Sequence, residues 1–498
     1  MATPIPPNQA AFTIAQIVEA TRGSIARPGP AQETPAVGVS SDSRSVPAGG
    51  IFVALAGESH DGHAFLEPAC QRGIAVAIVA RGRSAAVAGA GVENVTFIEV
   101  DDTLVALGDL ARIHLEAWRE HGPHNKVIAI TGSAGKTTTK ELAAALLGGV
   151  GRTHFTAGNL NNRVGVPFVV LGIQADHRFA VLEMGMSLPG ELDAITSFAR
   201  PDVAVVTNVG VAHAEGVGGP DGVMNEKAAV YRALESSGVA VVNADDDRAT
   251  RASEGTRAKT VVTFGTKEGA HYRLVSREPR GDSGARVAIA APGRELTFHL
   301  PLPGEAAALD LLAALAAQET ASGVLLPAET IESELATVRL AGRATVKRLA
   351  EDIVVLDDTY NANPASMRAA LATLAEIAEG GATAPRRRVA ILGEMKELGA
   401  HADAEHVALG DAIAAAGVTL AIGCGGLISR ALKRAGELGV TCVDAASTAD
   451  AAAEAKTRVQ PSDAVLVKGS RSVGAERVVA ALIETWPGAD KSATSEPR

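Results

Sequence analysis

The chain has 498 residues and a formal net charge of −11 at pH 7, from 57 Asp and Glu residues against 46 Lys and Arg residues. Because nucleic-acid binders neutralise phosphates with clustered basic side chains, this balance argues against a general nucleic-acid binder. The length exceeds what one hydrophobic core supports and predicts about three domains. With 47% hydrophobic and 21% charged residues, the composition is that of a globular α/β protein.

The cysteine pattern and the N-terminus indicate the compartment. Cys70, Cys424 and Cys442 are widely spaced and form no CxxC pair, so neither a disulfide framework nor a zinc site is predicted. The first twenty residues lack the basic and apolar regions of a signal peptide. No apolar run reaches the roughly 18 residues of a membrane span. We therefore expect a cytoplasmic protein without a membrane span.

Residues 1–122 are predicted to form a first, mixed α/β domain. Helical spacing at 14–18 and 104–120 alternates with strand-like apolar runs at 51–55 and 75–79. A short polar cluster at 41–44, which includes Ser43 and Arg44, is by its composition a turn. Gly122 and Pro123 break the chain and mark the first domain boundary.

The strongest motif lies in the second predicted domain, residues 123–342. The run Thr-Gly-Ser-Ala-Gly-Lys-Thr-Thr-Thr-Lys at 131–140 follows an apolar strand at 127–130 and leads into a predicted helix. In such a loop the glycines let backbone N–H groups surround a phosphate, the helix N-terminus adds positive potential, and a lysine adds a charge. The common form of the loop has its first glycine where this chain has Ile130, so the loop is a subclass.

This phosphate loop predicts a bound nucleotide and Mg²⁺. Lys136 is expected at the β- and γ-phosphates, and the Thr137 hydroxyl at the metal ion. The predicted nucleotide-binding residues of the loop are Gly132, Ser133, Ala134, Gly135, Lys136, Thr137 and Thr138.

Further strands at 180–182, 203–206 and 239–242 alternate with helices and predict a parallel sheet that is buried on both faces. Ligands bind in the loops that follow such strands, which is where Glu183 and His213 stand. Glu183 is either a metal ligand or a solvated strand-end residue, and a lone histidine is more often structural. Lys227 lies in a predicted helix, where a lysine ordinarily faces solvent.

The remaining elements follow from the same periodicities. Residues 261–300 alternate apolar and polar side chains and predict a small antiparallel addition, followed by helices at 309–318 and 330–337. The third predicted domain, residues 343–498, has strands at 353–356, 389–392, 420–422, 443 and 464–467, separated by Ala-rich helices. This order predicts an open, mostly parallel, Rossmann-like sheet without a phosphate loop.

Five motifs in chain order resemble those of the Mur ligases of peptidoglycan synthesis. They lie at 131–141, 156–167, 357–367, 392–399 and 468–471, and the last three are similar to those of the members that add D-alanyl-D-alanine. The resemblance implies an enzyme that uses ATP and Mg²⁺ to join D-alanyl-D-alanine to UDP-N-acetylmuramoyl-tripeptide through an acyl phosphate. We expect a monomer, although the sequence does not fix the oligomeric state. It places the UDP-sugar in the first domain, ATP in the second and the dipeptide in the third.

The resemblance also implies roles for individual residues. Substrate contacts are implied for Ser43, Arg44, Asn159, Asn161, Asn162, Asn361, Asn363 and Lys468. Nucleotide contacts are implied for Asn243, Arg343, Asp357 and Tyr360, each of which could equally serve a turn or a helix N-cap. Thr137, Glu183 and His213 are implied as metal-linked residues. The implied catalytic residues are Lys136, Glu183, His213 and Lys227, and Lys227 aligns with a lysine that is N-carboxylated in several members.

The chain departs from the family pattern at residues 303–310. The family commonly has Pro-Gly-x-His-Asn-x-x-Asn before the helix that approaches adenine, whereas this chain has Ala306, Ala307 and Asp310 at the three polar positions. Either other groups hold adenine, or selectivity for the base is relaxed, and we expect a weaker preference for ATP over GTP than relatives have.

Other functions remain as alternatives. One is another ligase of the same architecture, such as a different Mur ligase or a folylpolyglutamate synthase. Another is a nucleotide-binding switch without catalysis, which the lack of an Asp-x-x-Gly motif after the strand at 180–182 disfavours. The sequence leaves open whether the tripeptide ends in diaminopimelate or in lysine.

Overall fold

The computed structural model describes residues 3–30, 34–57, 60–85, 87, 89, 91–210, 214–380 and 385–488. These residues form three large sheets and one two-stranded sheet, flanked by helices. None of the three large sheets crosses residue 122 or residue 342, where the sequence predicts domain boundaries. None of the described helices has an apolar stretch of the length that a bilayer crossing requires.

The first sheet has five strands in the order β2-β7-β6-β5-β4, all parallel except β2, and β1 pairs separately with β3. The elements are β1 (Ala11–Phe12), α1 (Ile14–Thr21), β2 (Ser24–Arg27), β3 (Ala36–Val37), β4 (Val39–Ser40), β5 (Ile51–Val53), α2 (Leu66–Gln71), β6 (Val76–Ala80), β7 (Thr96–Val100) and α3 (Thr103–His121). The predicted helices and strands of this region are confirmed. Strands β1 to β4 were not predicted because two to four residues carry too little periodicity, and β7 was also missed.

The central sheet has nine strands in the order β16-β15-β14-β13-β12-β11-β8-β10-β9. Its elements are β8 (Lys126–Thr131), α4 (Lys136–Gly148), β9 (Thr153–Phe155), α5 (Gly165–Leu171), β10 (Phe179–Glu183), α6 (Glu191–Ala199), β11 (Val203–Val206), α7 (Ala214–Val217), α8 (Pro220–Lys227), α9 (Ala229–Arg232), β12 (Val239–Asn243), α10 (Asp247–Ser253), β13 (Thr260–Gly265), β14 (Tyr272–Pro279), β15 (Ala285–Ala291), β16 (Arg294–Leu300), α11 (Glu305–Ser322) and α12 (Ala328–Leu335).

The predicted parallel sheet is confirmed for β9 to β14, and its central strands β8, β10, β11 and β12 are buried. The predicted antiparallel addition is part of this sheet, since β15 and β16 continue it with antiparallel pairing. Strand β13, which the sequence places in the same addition, instead runs parallel to β12 and β14. Helix α3 of the first region packs onto this unit: Trp118 Nε1 donates to the His177 carbonyl at 2.8 Å, and His114 Nε2 lies 2.9 Å from the Ile173 carbonyl.

The third sheet has six strands in the order β17-β18-β22-β19-β20-β21, all parallel except β17. Its elements are β17 (Thr345–Arg348), β18 (Val354–Asp358), α13 (Pro364–Glu379), β19 (Arg388–Leu392), α14 (Ala402–Ala415), β20 (Leu420–Cys424), α15 (Ile428–Glu437), β21 (Thr441–Ala445), α16 (Thr448–Arg458), β22 (Ala464–Lys468) and α17 (Glu476–Thr485). The Rossmann-like prediction is confirmed. Because β22 lies between β18 and β19, the loops after these three strands meet at one edge.

The third sheet's helix α13 joins the central unit. Glu376 on α13 accepts hydrogen bonds from both terminal nitrogens of Arg277 on β14, one of them at 2.9 Å, and both side chains are largely buried. Next to this ion pair, the backbones of Gly281 and Gly380 approach closely enough that a Cβ on Gly380 would lie 2.5 Å from Gly281 Cα. The two units therefore meet at a joint that has no room for a side chain.

Gly380→Ala is expected to lower the free energy of unfolding by about 1–3 kcal/mol, because the added methyl group must push the two backbones apart. Chemical denaturation measures the loss. Gly436→Ala on α15 is the matched control, since the nearest atom to its new Cβ is Cys442 Sγ at 4.0 Å and alanine favours a helix. Equal stability of the two variants would contradict the tight joint.

Candidate functional site

The phosphate loop connects the end of β8 to the start of α4, and its two glycines are sterically required. Gly132 and Gly135 have φ values of 155° and 80°, which L residues rarely adopt. A Cβ on Gly132 would overlap the Thr207 hydroxyl, and one on Gly135 would overlap the Asp310 carboxyl. The loop is therefore held tightly on both sides, as the sequence motif predicts.

The loop after β11 supports the phosphate loop. Asn208 accepts a hydrogen bond from the Ala134 N–H at 2.9 Å and donates one to the Ala134 carbonyl at 3.1 Å. The Asn208 carbonyl accepts from the Ser133 N–H at 3.0 Å. Lys136 Nζ donates to the Gly132 carbonyl at 2.7 Å, and burial lowers the pKa of Lys136, which the charge of Glu183 partly opposes.

Glu183 ends β10 directly beside the start of α4, where only 1% of the residue is exposed. Its carboxylate accepts from the Thr137 hydroxyl at 2.6 Å and from Asn161 Nδ2 at 2.8 Å. Its backbone N–H donates to Thr156 Oγ1 at 2.9 Å. The structure thus brings together Thr137 and Glu183, two of the three predicted metal-linked residues.

These oxygen donors are of the kind that Mg²⁺ prefers, so the residues present fit that ion. His213, the third predicted residue, lies outside the described residues. Within the described part of the chain, no group of three or more His, Cys, Asp or Glu side chains is placed to hold a metal. A metal ion here would depend on the Thr137 and Glu183 oxygens together with oxygens of a nucleotide.

Lys227 ends α8 and is buried, with 2% of the residue exposed, which differs from the solvated position that is usual for a helical lysine. Burial first, and then the charge of Lys136, hold the pKa of Lys227 well below its usual range. The adjacent Glu226 instead accepts from the backbone N–H groups of Gly190 and Leu192, both at 2.9 Å. Lys227 thus borders the same cavity as the phosphate loop, and its surroundings disfavour the charged form of its amine.

Several groups approach from the linker and the third sheet. The Arg343 guanidinium carbon lies 3.9 Å from the centroid of the Tyr360 ring, a cation–π contact. Lys468, at the end of β22, donates to Asp358 Oδ2 at 2.5 Å and to the Asn361 carbonyl at 2.8 Å. Asn363 caps α13 and donates from Nδ2 to the Ser133 carbonyl of the phosphate loop at 3.3 Å. The third sheet therefore contacts the phosphate loop directly.

All these groups border one cavity of about 570 Å³ between the central and third sheets. Its cationic side chains are Lys136, Lys227, Arg343, Lys468 and Arg471, and its acidic ones are Glu183, Glu191, Asp310 and Asp358. The sequence-predicted residues that line it are Ser133, Ala134, Gly135, Lys136, Thr138, Asn159, Asn161, Asn162, Glu183, Lys227, Asn243, Arg343, Tyr360, Asn361, Asn363 and Lys468. Gly132 and Thr137 belong to the same loop.

Some predicted residues lie elsewhere. Asp357 accepts from the Thr359 hydroxyl at 2.7 Å and is absent from the cavity wall, whereas Asp358 forms part of it, because neighbouring residues of a strand point to opposite faces. Ser43 and Arg44 lie in the first domain and do not line the cavity, and Arg44 is an exposed residue paired with Asp42 at 2.8 Å.

Asn243 borders the cavity but also serves a turn, one of its two predicted alternatives. Its Nδ2 donates to the Thr207 carbonyl at 2.7 Å, and its Oδ1 accepts from the Asp245 N–H at 2.9 Å. Sequence reasoning missed Asn208 and Arg471 as site residues. The rule that ligands bind after parallel strands would have found Asn208, since it follows the apolar run at 203–206.

Asp310, which the sequence shows only as a departure from the family pattern, is buried against the phosphate loop. Burial raises the pKa of its carboxyl to about 8, while the nearby Thr139 hydroxyl and the charge of Arg343 act in the opposite direction. At neutral pH the group is therefore largely protonated, so it adds little negative charge to the place where phosphates would lie.

Asp310→Asn is expected to stabilise the protein more at about pH 8 than at about pH 5. The unfolded carboxyl ionises near its usual pKa of 3.8 and the folded one only near 8, so the folded state binds more protons between these values and loses stability as the pH rises. The Asn side chain of the variant does not ionise, so the variant avoids this pH-dependent loss of stability. The loss amounts to a few kcal/mol, at about 1.4 kcal/mol per unit of pKa difference.

Thermal unfolding of both proteins across this pH range measures the effect. Glu305→Gln is the matched control, because Glu305 is an exposed acid on the first turn of the same helix, α11. If the stability difference between Asp310→Asn and the wild-type protein stays constant with pH, the pKa of Asp310 is not raised.

The fold and the cavity define a class of proteins: nucleotide-binding enzymes in which a central sheet with a phosphate loop faces a Rossmann-like domain. Comparison with known families gives the same result. Residues 36–114 match the model of the Mur ligase family catalytic domain, residues 130–318 the Mur ligase middle domain, and residues 342–471 the Mur ligase glutamate ligase domain.

The chain belongs to the Mur ligase family. It is 34% identical to the UDP-N-acetylmuramoyl-tripeptide–D-alanyl-D-alanine ligase of Escherichia coli (strain K12) over 90% of this chain and 93% of that protein. A crystal structure of MurF from Acinetobacter baumannii superposes with a TM-score of 0.82 at 32% identity, covering 97% of this chain and all of that one. MurF from Thermotoga maritima in complex with ADP has a TM-score of 0.76 at 26% identity, covering 90% and 97% of the two chains.

Proposed function

We propose that the protein is an ATP-dependent amide ligase that joins D-alanyl-D-alanine to UDP-N-acetylmuramoyl-tripeptide through an acyl phosphate. The observation that carries the proposal is the single cavity in which the phosphate loop faces the Asn361–Asn363 and Lys468 loops of the third sheet. The similarity to relatives named for this reaction supports it. A nucleotide switch would have no use for the third domain, and the residues at 361–364 and 393–395 favour this ligase over others of the same architecture.

The first chemical step brings two anions together, since a peptide carboxylate attacks the γ-phosphate of ATP. Two unit charges about 4 Å apart repel by roughly 4 kcal/mol at an effective dielectric of 20. Lys136 and the backbone N–H groups of the phosphate loop offset this repulsion. Thr137 and Glu183 would hold Mg²⁺, which when bound polarises phosphate oxygens and neutralises their charge.

The second step needs a neutral amine and a dry site. The dipeptide amine must lose its proton before it attacks the acyl phosphate and forms a tetrahedral intermediate, from which phosphate leaves. Water would hydrolyse the acyl phosphate, so the domains must close around it. The Asn363 hydrogen bond to the Ser133 carbonyl is a contact of this kind, because it links the third domain to the phosphate loop.

The remaining assignments follow from the placement of the residues. Asn159, Asn161 and Asn162 line the cavity on the side of the central sheet and are proposed to contact the tripeptide, while Ser43 and Arg44 are proposed to contact the UDP-sugar. Arg343 and Tyr360 are proposed to contact the nucleotide. We also propose that the active form is a monomer and that the protein acts in the cytoplasm, where a nucleotide-dependent enzyme finds its substrates.

Lys227 is proposed to carry a carbamate. A neutral amine attacks CO₂ and releases a proton, and the lowered pKa of Lys227 favours the neutral form of its amine. The resulting negative group would replace a potential positive charge beside Lys136 and support a metal ion held by Glu183. Burial of Lys227 within the cavity wall supports this role.

Lys227→Ala is expected to lower turnover about a hundredfold, the upper range for removing a supporting group at a metal site. Added chloride or bicarbonate should restore part of the loss by filling the vacated space with an anion. Lys433→Ala, which removes an exposed lysine from α15, is the control and should leave turnover unchanged. Unchanged turnover in Lys227→Ala would refute the carbamate.

The proposed function itself is tested by phosphate release with ATP, UDP-N-acetylmuramoyl-tripeptide and D-alanyl-D-alanine, each omitted in turn. Release should require all three and should yield one phosphate for each new amide bond. Full release without the dipeptide would refute the assignment.

A further inference from the structure

Arg471 is a cation of the cavity wall that the mechanism leaves without a role. It follows β22 and opens a single 3₁₀ turn, Arg471–Val473, with its side chain 52% exposed. Its nearest carboxylate, that of Glu476, lies at 3.8 Å, beyond hydrogen-bond distance. Its side chain donates no hydrogen bond to any residue in the described ranges. The guanidinium is therefore free to bind an anion.

The other cations of the wall already have partners or face the phosphates. Lys468 is neutralised by Asp358. Arg343 lies close enough to the phosphate loop that its charge lowers the pKa of Lys136. Arg471 thus differs from Lys468, since its ion pair with Glu476 is at 3.8 Å whereas Lys468 holds Asp358 at 2.5 Å.

Its surroundings hold Arg471 in place. The guanidinium carbon lies 5.6 Å from the centroid of the Tyr360 ring, which restricts the planar group. The preceding residue is anchored, since the Ser470 N–H donates to the Glu394 carbonyl at 3.2 Å and Ser470 Oγ accepts from the Lys396 N–H at 2.9 Å. A cation fixed in this way loses little freedom when it binds a ligand.

We propose that Arg471 binds the C-terminal carboxylate of the incoming D-alanyl-D-alanine, an inference that rests on the proposed function. A planar guanidinium matches a carboxylate through two parallel hydrogen bonds. The carboxylate lies about 7 Å from the dipeptide amine, at roughly 3.5 Å per residue, so its binding group must lie away from the reacting phosphate. Arg471 is a candidate for this group, since it lines the cavity from the third domain and lies farther from the Tyr360 ring than Arg343 does.

The first test is Arg471→Met, which keeps the apolar stem and removes the charge. The KM for D-alanyl-D-alanine should rise about tenfold to a hundredfold, which corresponds to the loss of a charge-assisted hydrogen-bonded pair. The KM values for ATP and the UDP-linked tripeptide should stay within about twofold. Arg477→Met is the matched control, because Arg477 lies on the adjacent helix α17 and does not line the cavity.

The second test changes the substrate instead of the protein. D-alanyl-D-alaninamide lacks the terminal charge, so the wild-type protein should prefer the acid over the amide by about tenfold or more in kcat/KM. Arg471→Met should show no such preference. Loss of the preference marks direct recognition of the carboxylate, which a merely structural role of Arg471 would not produce.

The outcomes separate the two proposals. Wild-type protein that uses acid and amide equally well overturns the role of Arg471, whether or not the variant folds. A rise in the KM for ATP or for the tripeptide in place of the dipeptide KM also overturns it, since the anion bound would then be a phosphate or a tripeptide carboxylate. Absence of any dipeptide-dependent phosphate release overturns the proposed function and, with it, this inference.

Discussion

The site depends on holding several cationic side chains close together around one partly buried cavity. Lys227 is buried and Lys136 is half-buried beside one cavity, and desolvation lowers the pKa of both amines. Like charges this close repel one another, and the structure reduces this unfavourable electrostatic energy in two ways. Glu183 and Asp358 supply opposite charge, and burial disfavours the charged form of the Lys227 amine.

Much of the fold could be predicted because its signals are local. Continuous apolar runs identify the buried parallel strands, and the glycine-lysine loop between β8 and α4 identifies the nucleotide site without any knowledge of distant residues. The structure adds the reason for the glycines, since Thr207 and Asp310 leave no space for a side chain. Short strands such as β17 escaped prediction because four half-buried residues carry no distinct period.

The site was harder to predict because its parts are distant in sequence. Whether Asp357 or Asp358 faces the cavity depends on the register of β18 against β22, which pairs Asp358 with Lys468. The burial of Lys227 depends on the packing of α8, which its helical spacing does not reveal. Arg471 becomes a candidate only when its proximity to Tyr360 is known.

The position of β22 in the third sheet affects the order in which the protein can be completed during synthesis. The pair between Asp358 and Lys468 joins residues 110 positions apart, and β22 must enter between two strands made long before it. During synthesis, β18 and β19 therefore emerge from the ribosome well before β22, the strand that lies between them. Until β22 has been made, β18 and β19 each expose an unpaired edge that can bind the wrong chain. The nascent chain therefore gains its cavity and its protection against aggregation in the same step, when β22 inserts.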